Sequence, residues 1–170
     1  MAKILTTRLT CAALTVAAAF ACTGSGSPAQ AEDRSPVIDV RSANPAMNAA
    51  ITRARDTLPT FWASYEALKS SETGHSLKVR FPTPRGDGEH IWMSEVKKLP
   101  NGSYSGRFAN QPRDLPGKRS GDLVEFRQTD ISDWMFMRNG KIVGGETIKP
   151  LLKSMPKADA AALRARMEQP

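Results

Sequence analysis

Between Met47 and Leu68 the apolar residues Ala50, Ile51, Ala54, Leu58, Phe61, Trp62 and Tyr65 recur at spacings of three and four, which lays one apolar stripe along a helix. Asn44 followed by Pro45 marks the start: a side-chain cap, then a residue whose missing N–H is not needed at the first helical position. Pro59 sits inside the stripe and removes an intrahelical hydrogen bond, so the spacing predicts a kink or break near Thr57. Gly74 is expected to close the helical region.

From Ser76 the period changes to two. Leu77, Val79 and Phe81 fall on one face and Lys78 and Arg80 on the other, the pattern of a half-buried strand. PTPRGDG leads into the strand EHIWMSEVKKL, and PNGS turns it back into YSGRFAN. QPRDLPGKRSG reads as a loop, and LVEFRQ as a further strand. DWMFMR, NG and KIVGGETI then form the strongest hairpin signal, because Asn139 and Gly140 tolerate the positive φ of a two-residue turn.

That turn sets a register: Arg138 faces Lys141, Met135 faces Gly144, Trp134 faces Gly145 and Asp133 faces Glu146. The indole can cover a bare glycine. The two acids are ill matched, so either Lys149 lies nearby or pairing stops before them. Pro156 to Glu168 is Ala-rich and helical in pattern, with few large apolar residues to hold it. The fold class expected is α+β: an N-terminal kinked helix on one face of a curved antiparallel sheet of about five or six strands, with a short C-terminal helix and a partial barrel as the limiting form.

The N-terminus changes the setting. Lys3 and Arg8 precede an apolar core from Leu9 to Ala21, the layout of a signal peptide. Ala19, Phe20, Ala21 and Cys22 resemble a lipobox, whereas Ala29, Gln30 and Ala31 suit ordinary signal peptidase. Cys11 leaves with the leader, and Cys22 is either acylated or removed, so the mature domain carries no disulfide. The expected organisation is a signal peptide at 1–21, a flexible linker at 22–43, an α+β domain at 44–151 and a helical tail at 152–170. The expected location is the periplasm, or the membrane surface through a lipid on Cys22.

Composition agrees with one modest domain: 170 residues, 40% hydrophobic and 24% charged, too ordered for a disordered chain and too short for two cores. Asp133, Arg138, Asn139, Gly140 and Lys141 interrupt Ile131 to Val143, so no segment of the body supplies the ~20 apolar residues of a membrane span. Losing Lys3 and Arg8 with the leader takes the formal net charge from +7 to +5. Lys97, Lys98, Arg107, Arg113, Lys118, Arg119, Lys149 and Lys153 form a candidate field for an anionic envelope component or an envelope protein. Export excludes nucleic acid as the expected partner.

Catalytic chemistry is sparse. His75 and His90 are the two histidines. His75, just after Gly74, reads as a solvated loop residue. His90 shares a strand face with Trp92, and a nucleophilic mechanism would need Ser132 with Asp133 or Asp130 beside it. No elbow motif surrounds Ser132, no ligand spacing suits a metal, and no cofactor motif is present. A carboxylate pair such as Glu89 with Asp133 is an isolated signal. The candidate binding residues are therefore His90, Trp92, Asp133 and Trp134, with Cys22 as the lipidation site and no catalytic or metal-binding residue.

Several of these segments also carry a family pattern: EHIWM at 89–93, SGRFANQP at 105–112, Gly121 with Asp122, ISDWMFMRNGKIVGGETI at 131–148, and the earlier MNAAITRARDTLPTFW. They resemble the YegJ-like domain family, a bacterial family of unknown function often found in exported proteins, over roughly Asn44 to Leu151. Glu146 departs from it, standing where the family tends to carry an aromatic after GG. The resemblance implies a fold and assigns no catalytic residue. The function expected is a non-catalytic binding module of the envelope. The competing classes are a small periplasmic hydrolase using His90 and an immunity-like inhibitor of a secreted toxin.

Overall fold

Asn44 caps the first helix as its sequence requires: its Oδ1 accepts from the backbone N–H of Ala46 at 3.0 Å and of Met47 at 3.2 Å. The computed structural model describes residues 44–168; the expected signal peptide, its two candidate cleavage sites, Cys22 and the expected linker lie outside them. Helix α1 spans Pro45–Asp56 and α2 spans Leu58–Ala67. The break falls at Thr57, two residues before Pro59, with φ −97° and ψ 3°. Among the described residues no helix is long and apolar enough to cross a membrane.

The helical region ends earlier than Gly74. Leu68 takes the left-handed conformation, φ 49°, and β1 already begins at Glu72 and runs to Pro82. Glu72 and Thr73 pair with Arg138 and Met137, and the register then shifts before Ser76. Gly74, with φ +64°, stands inside that irregularity, so its conformational freedom makes a bulge rather than a helix stop. This places His75 on a strand instead of in a solvated loop.

Strands β2 (Gly88–Lys98), β3 (Tyr104–Phe108), β4 (Leu123–Phe126), β5 (Ile131–Arg138) and β6 (Lys141–Gly144) complete a six-stranded antiparallel sheet in the order β4-β3-β2-β1-β5-β6. β4 and β6 are its two edges and do not meet, so the sheet stays open and no barrel forms. The Asn139–Gly140 hairpin has the expected register, Arg138 with Lys141 through Met135 with Gly144. Pairing ends there; Gly145 N–H still donates to Trp134 O at 2.8 Å.

Both alternatives anticipated for the two acids occur together. β6 stops before Glu146, and Lys149 and Arg53 both pair with that carboxylate, the latter at 3.2 Å. The Trp134 ring covers Gly144 rather than Gly145: a Cβ on Gly144 would come within 2.6 Å of indole Cε3.

One face of the sheet meets α1 and α2 through Phe61, Leu77, Val79, Ile91, Met93, Phe108, Trp134 and Phe136. Each such large side chain contributes about 1.5–3 kcal/mol on burial. Met135 and Met137 alternate with Trp134 and Phe136, hence point to the opposite face. There they join Ile142, Leu152, Ala160, Leu163 and Met167 in a second cluster. The sparse apolar residues of the tail are enough to pack it: α3 (Ile148–Leu151) and α4 (Lys157–Arg166) cover the far side of β5 and β6. The helices thus occupy both faces, not one.

Candidate functional site

The core-facing residues of β1 and β2 fix what their other face displays. With Leu77, Val79, Ile91 and Met93 inside, the alternate positions Lys78, Arg80, His90 and Trp92 share the face turned away from α1 and α2. The register sets Lys78 opposite Trp92 and Arg80 opposite His90. Four side chains thus form one compact cross-strand square.

Each corner has its own surroundings. Lys78 is half-buried; its Nζ donates to Thr147 Oγ1 at 3.2 Å and lies 5.5 Å above the Trp92 ring. Burial pulls the Lys78 ammonium below its usual range, against the opposing pull of Asp133. Arg80 is exposed, and among the described residues its guanidinium has no hydrogen-bond or ion-pair partner. It lies across Gly88, where an added Cβ would fall 2.3 Å from Arg80 Nε. A glycine at this position lets a free guanidinium rest flat on the neighbouring strand.

His90 is exposed as a residue, yet its Nδ1 edge lies 2.8 Å from Ser132 Oγ, on a side chain only 1% exposed. Ser132 Oγ also donates to the carbonyl of Lys78 at 3.1 Å. A carbonyl can only accept, and a serine has one proton. The hydroxyl hydrogen therefore goes to Lys78 O, His90 Nδ1–H donates to Ser132, and Nε2 keeps its lone pair. Desolvation, reinforced by Lys78, Arg80 and Arg55, holds the imidazolium down to about 4, so the ring is neutral near pH 7.

Asp133 and Trp134, the other two expected binding residues, are internal. Asp133 is 0% exposed and accepts from Trp134 N–H, Glu146 N–H, Thr147 N–H and Thr147 Oγ1, the last two at 2.8 and 2.6 Å. Burial raises its carboxyl above the usual range, while the Thr147 and Trp134 donors and the Lys78 charge oppose the rise. Trp134 is 4% exposed, and its indole N–H donates to Ala54 O at 2.9 Å. These two residues hold α1, β5 and the turn after β6 together and present nothing to a ligand.

A second histidine site was not anticipated. Ser64 on α2 donates to Glu72 Oε2 at 2.5 Å and sits 2.8 Å from His75 Nε2. Arg138 donates to Glu72 Oε1 at 2.9 Å and to Glu168 at 3.0 Å. Phe136 stacks on the His75 ring at 5.0 Å, while Phe61 and Tyr65 meet it edge-on. Burial lowers the His75 pKa and the Glu72 charge opposes this; the Ser64 and Arg138 hydrogen bonds lower that of Glu72. The bulge at Gly74 disguised this strand position as a turn, and no period in the sequence marks it.

The expected basic field is partly neutralised, since Lys98 pairs with Glu66, Arg107 with Glu95 and Lys149 with Glu146. Glu89 points to the core side and accepts from the N–H groups of Arg113 and Asp114, fastening the 109–122 loop. An apolar groove of about 730 Å³ lies among Phe81, Pro84, Phe108, Leu115, Leu123 and Val124. None of the expected site residues lines it. Among the described residues no three His, Cys, Asp or Glu side chains converge as for a metal.

Residues 44–167 match the family described as "Uncharacterized protein conserved in bacteria (DUF2314)". The chain belongs to the DUF2314 family. Within DUF2314 the match extends past α3 through α4, in keeping with a tail that packs on the sheet. The chain is 36% identical over 123 residues to "Uncharacterized protein YegJ" of Escherichia coli K12, covering 72% of this chain and 77% of that protein. It is 33% identical over 124 residues to a Neisseria meningitidis serogroup B protein whose name proposes ankyrin repeats, covering 68% of this chain and 48% of that one. No solved structure matches this DUF2314 chain.

Proposed function

We propose that the protein is an exported, non-catalytic binding module whose Lys78–Arg80–His90–Trp92 face takes an anionic component of the cell envelope. The observation that carries this reading is Arg80. A guanidinium with no acceptor among the described residues, laid over Gly88 and paired across the strands with His90, is prepared for an anion from outside the chain. Asp133 does not compete, because its oxygens are committed internally. The leader supports the location, and the stretch from Cys22 to Ala43 supports a tether between lipid and domain.

The hydrolase reading draws support from the 2.8 Å separation of His90 and Ser132. The proton direction opposes it. Ser132 gives its hydrogen to Lys78 O and receives one from His90, the reverse of an activated nucleophile. Asp133 is bonded to Thr147, not to the imidazole, and Ser132 is buried away from any substrate.

Two measurements test the proposal. In pulldowns from envelope extracts, the wild-type chain should retain a component that Arg80→Glu loses while its circular dichroism is unchanged; retention by both variants, or by neither, would sink the binding face. Intact mass of the mature protein should show an acylated Cys22, and an N-terminus at Glu32 would instead mean a domain without the anchor.

A further inference from the structure

The chemistry of the square narrows what kind of anion it suits. Arg80 supplies only donors. His90 supplies the opposite: with Nδ1–H engaged on Ser132, Nε2 is a lone-pair acceptor with no partner among the described residues. A plain anion brings acceptors alone and sets its charge against that lone pair. A hydroxyl meets it by donating. Trp92, beside His90 on the same face and half-exposed, adds an apolar wall against which C–H groups can rest.

Resting on the anion-binding reading above, we propose that this face recognises a hydroxyl-bearing anion, such as an acidic sugar or a polyol phosphate. The charged group sits on Arg80, and a neighbouring hydroxyl donates to His90 Nε2. Lys78 remains on Thr147 and adds long-range attraction rather than a direct contact. Both ligand types carry the same chemistry, and they differ in whether a carboxylate or a phosphate meets the guanidinium.

Matched pairs separate the contributions. Glucuronate and cyclohexanecarboxylate share a six-membered ring and a carboxylate but differ in hydroxyls; glycerol 1-phosphate and propyl phosphate do the same for phosphate. Titrations of the full chain are followed by the imidazole nitrogen resonances of His90 and by indole fluorescence. In at least one pair the hydroxylated member should bind about tenfold tighter, the effect of one hydrogen bond of ~1.4 kcal/mol, and should shift Nε2. The pair that responds identifies the anion type.

His90→Phe should erase the preference within that pair while leaving the weaker binding, and Arg80→Gln should weaken both members. Equal binding within both pairs, with Arg80→Gln still weakening it, would overturn the hydroxyl inference and leave the anion site standing. Binding unaffected by Arg80→Gln, or no binding by any of the four, would overturn both. Because the Nε2 shift is read on the wild-type chain, the test survives a variant that folds poorly.

Discussion

His75 and His90 each face a serine at 2.8 Å, yet their surroundings give them opposite characters. Around His75 the neighbours are aromatic rings and an acid; around His90 they are cations and solvent. In both places the serine proton is drawn elsewhere, to Glu72 in one case and to Lys78 O in the other. Both histidines are consequently donors to serine, through Nε2 in His75 and Nδ1 in His90. A His–Ser contact therefore has no fixed meaning: the third partner decides whether it closes a packed corner or leaves an acceptor without a partner on an exposed ring.

The comparison can be broken first at Asp133, beneath the His90 side. Asp133→Ala leaves the N–H groups of Glu146 and Thr147 and the Thr147 hydroxyl without their acceptor. A loss of about 3–5 kcal/mol in denaturant unfolding is expected. If the cost is below ~1 kcal/mol, the buried carboxylate is not the tie described. Ser64→Ala, on the His75 side, removes one bridge between Glu72 and His75 and should cost roughly 1 kcal/mol, while His90 resonances stay in place.

Acid sharpens the contrast. Both histidines have folded pKa values below the unfolded value of about 6.5. Over that interval the unfolded chain binds more protons than the folded one, so stability rises with pH up to about 6.5 and levels off above it. The window reaches down to about 4 for His90 and closes at higher pH for His75, whose shift is smaller. NMR titration should show His75 as the Nε2–H tautomer and His90 as the Nδ1–H tautomer near pH 7, with His90 titrating last on acidification. A His90 midpoint at or above 6.5 would remove its cationic setting.

The smallest effect expected on stability is at Gly88. Gly88→Ala would bring a Cβ within 2.8 Å of Arg80 Cγ as well as its Nε and Cζ, so the whole exposed side chain must take another open rotamer; unfolding should change by no more than about 0.5 kcal/mol, yet anion binding should weaken with the guanidinium displaced. Unchanged binding would mean that the resting place of Arg80 is immaterial.

Much of this architecture was legible in the sequence. Asn44, Pro45 and Pro59 place the helix start and break through local backbone chemistry, and Asn139–Gly140 fixes a register because a two-residue turn permits few alternatives. The square of Lys78, Arg80, His90 and Trp92 follows half from alternation: His90 and Trp92 were legible as sharing a face, but the β1–β2 register that adds the cations was not. Asp133 and Trp134 looked equally available, since neither the Thr147 bonds nor the Ala54 contact has a local signature. His75 was hidden by a glycine whose positive φ serves a bulge as well as a turn. The helical pattern of the tail was legible but its packing was not, because Leu152, Ala160 and Met167 are too sparse for a periodic stripe and gain their burial from Met135 and Met137 across the sheet.

At its far end the chain does something for the sheet that no side-chain motif announces. Met167 forms a parallel bridge with Ile142, and Glu168 N–H donates to Ile142 O at 2.8 Å, so the last described residues act as a seal along the outer rim of β6. A protein cut after Leu151 would lose that seal together with the cover over Met135 and Met137. It would present a bare hydrogen-bonding rim next to sticky thioethers, and would fail first by clumping with its own copies rather than by losing its ligand.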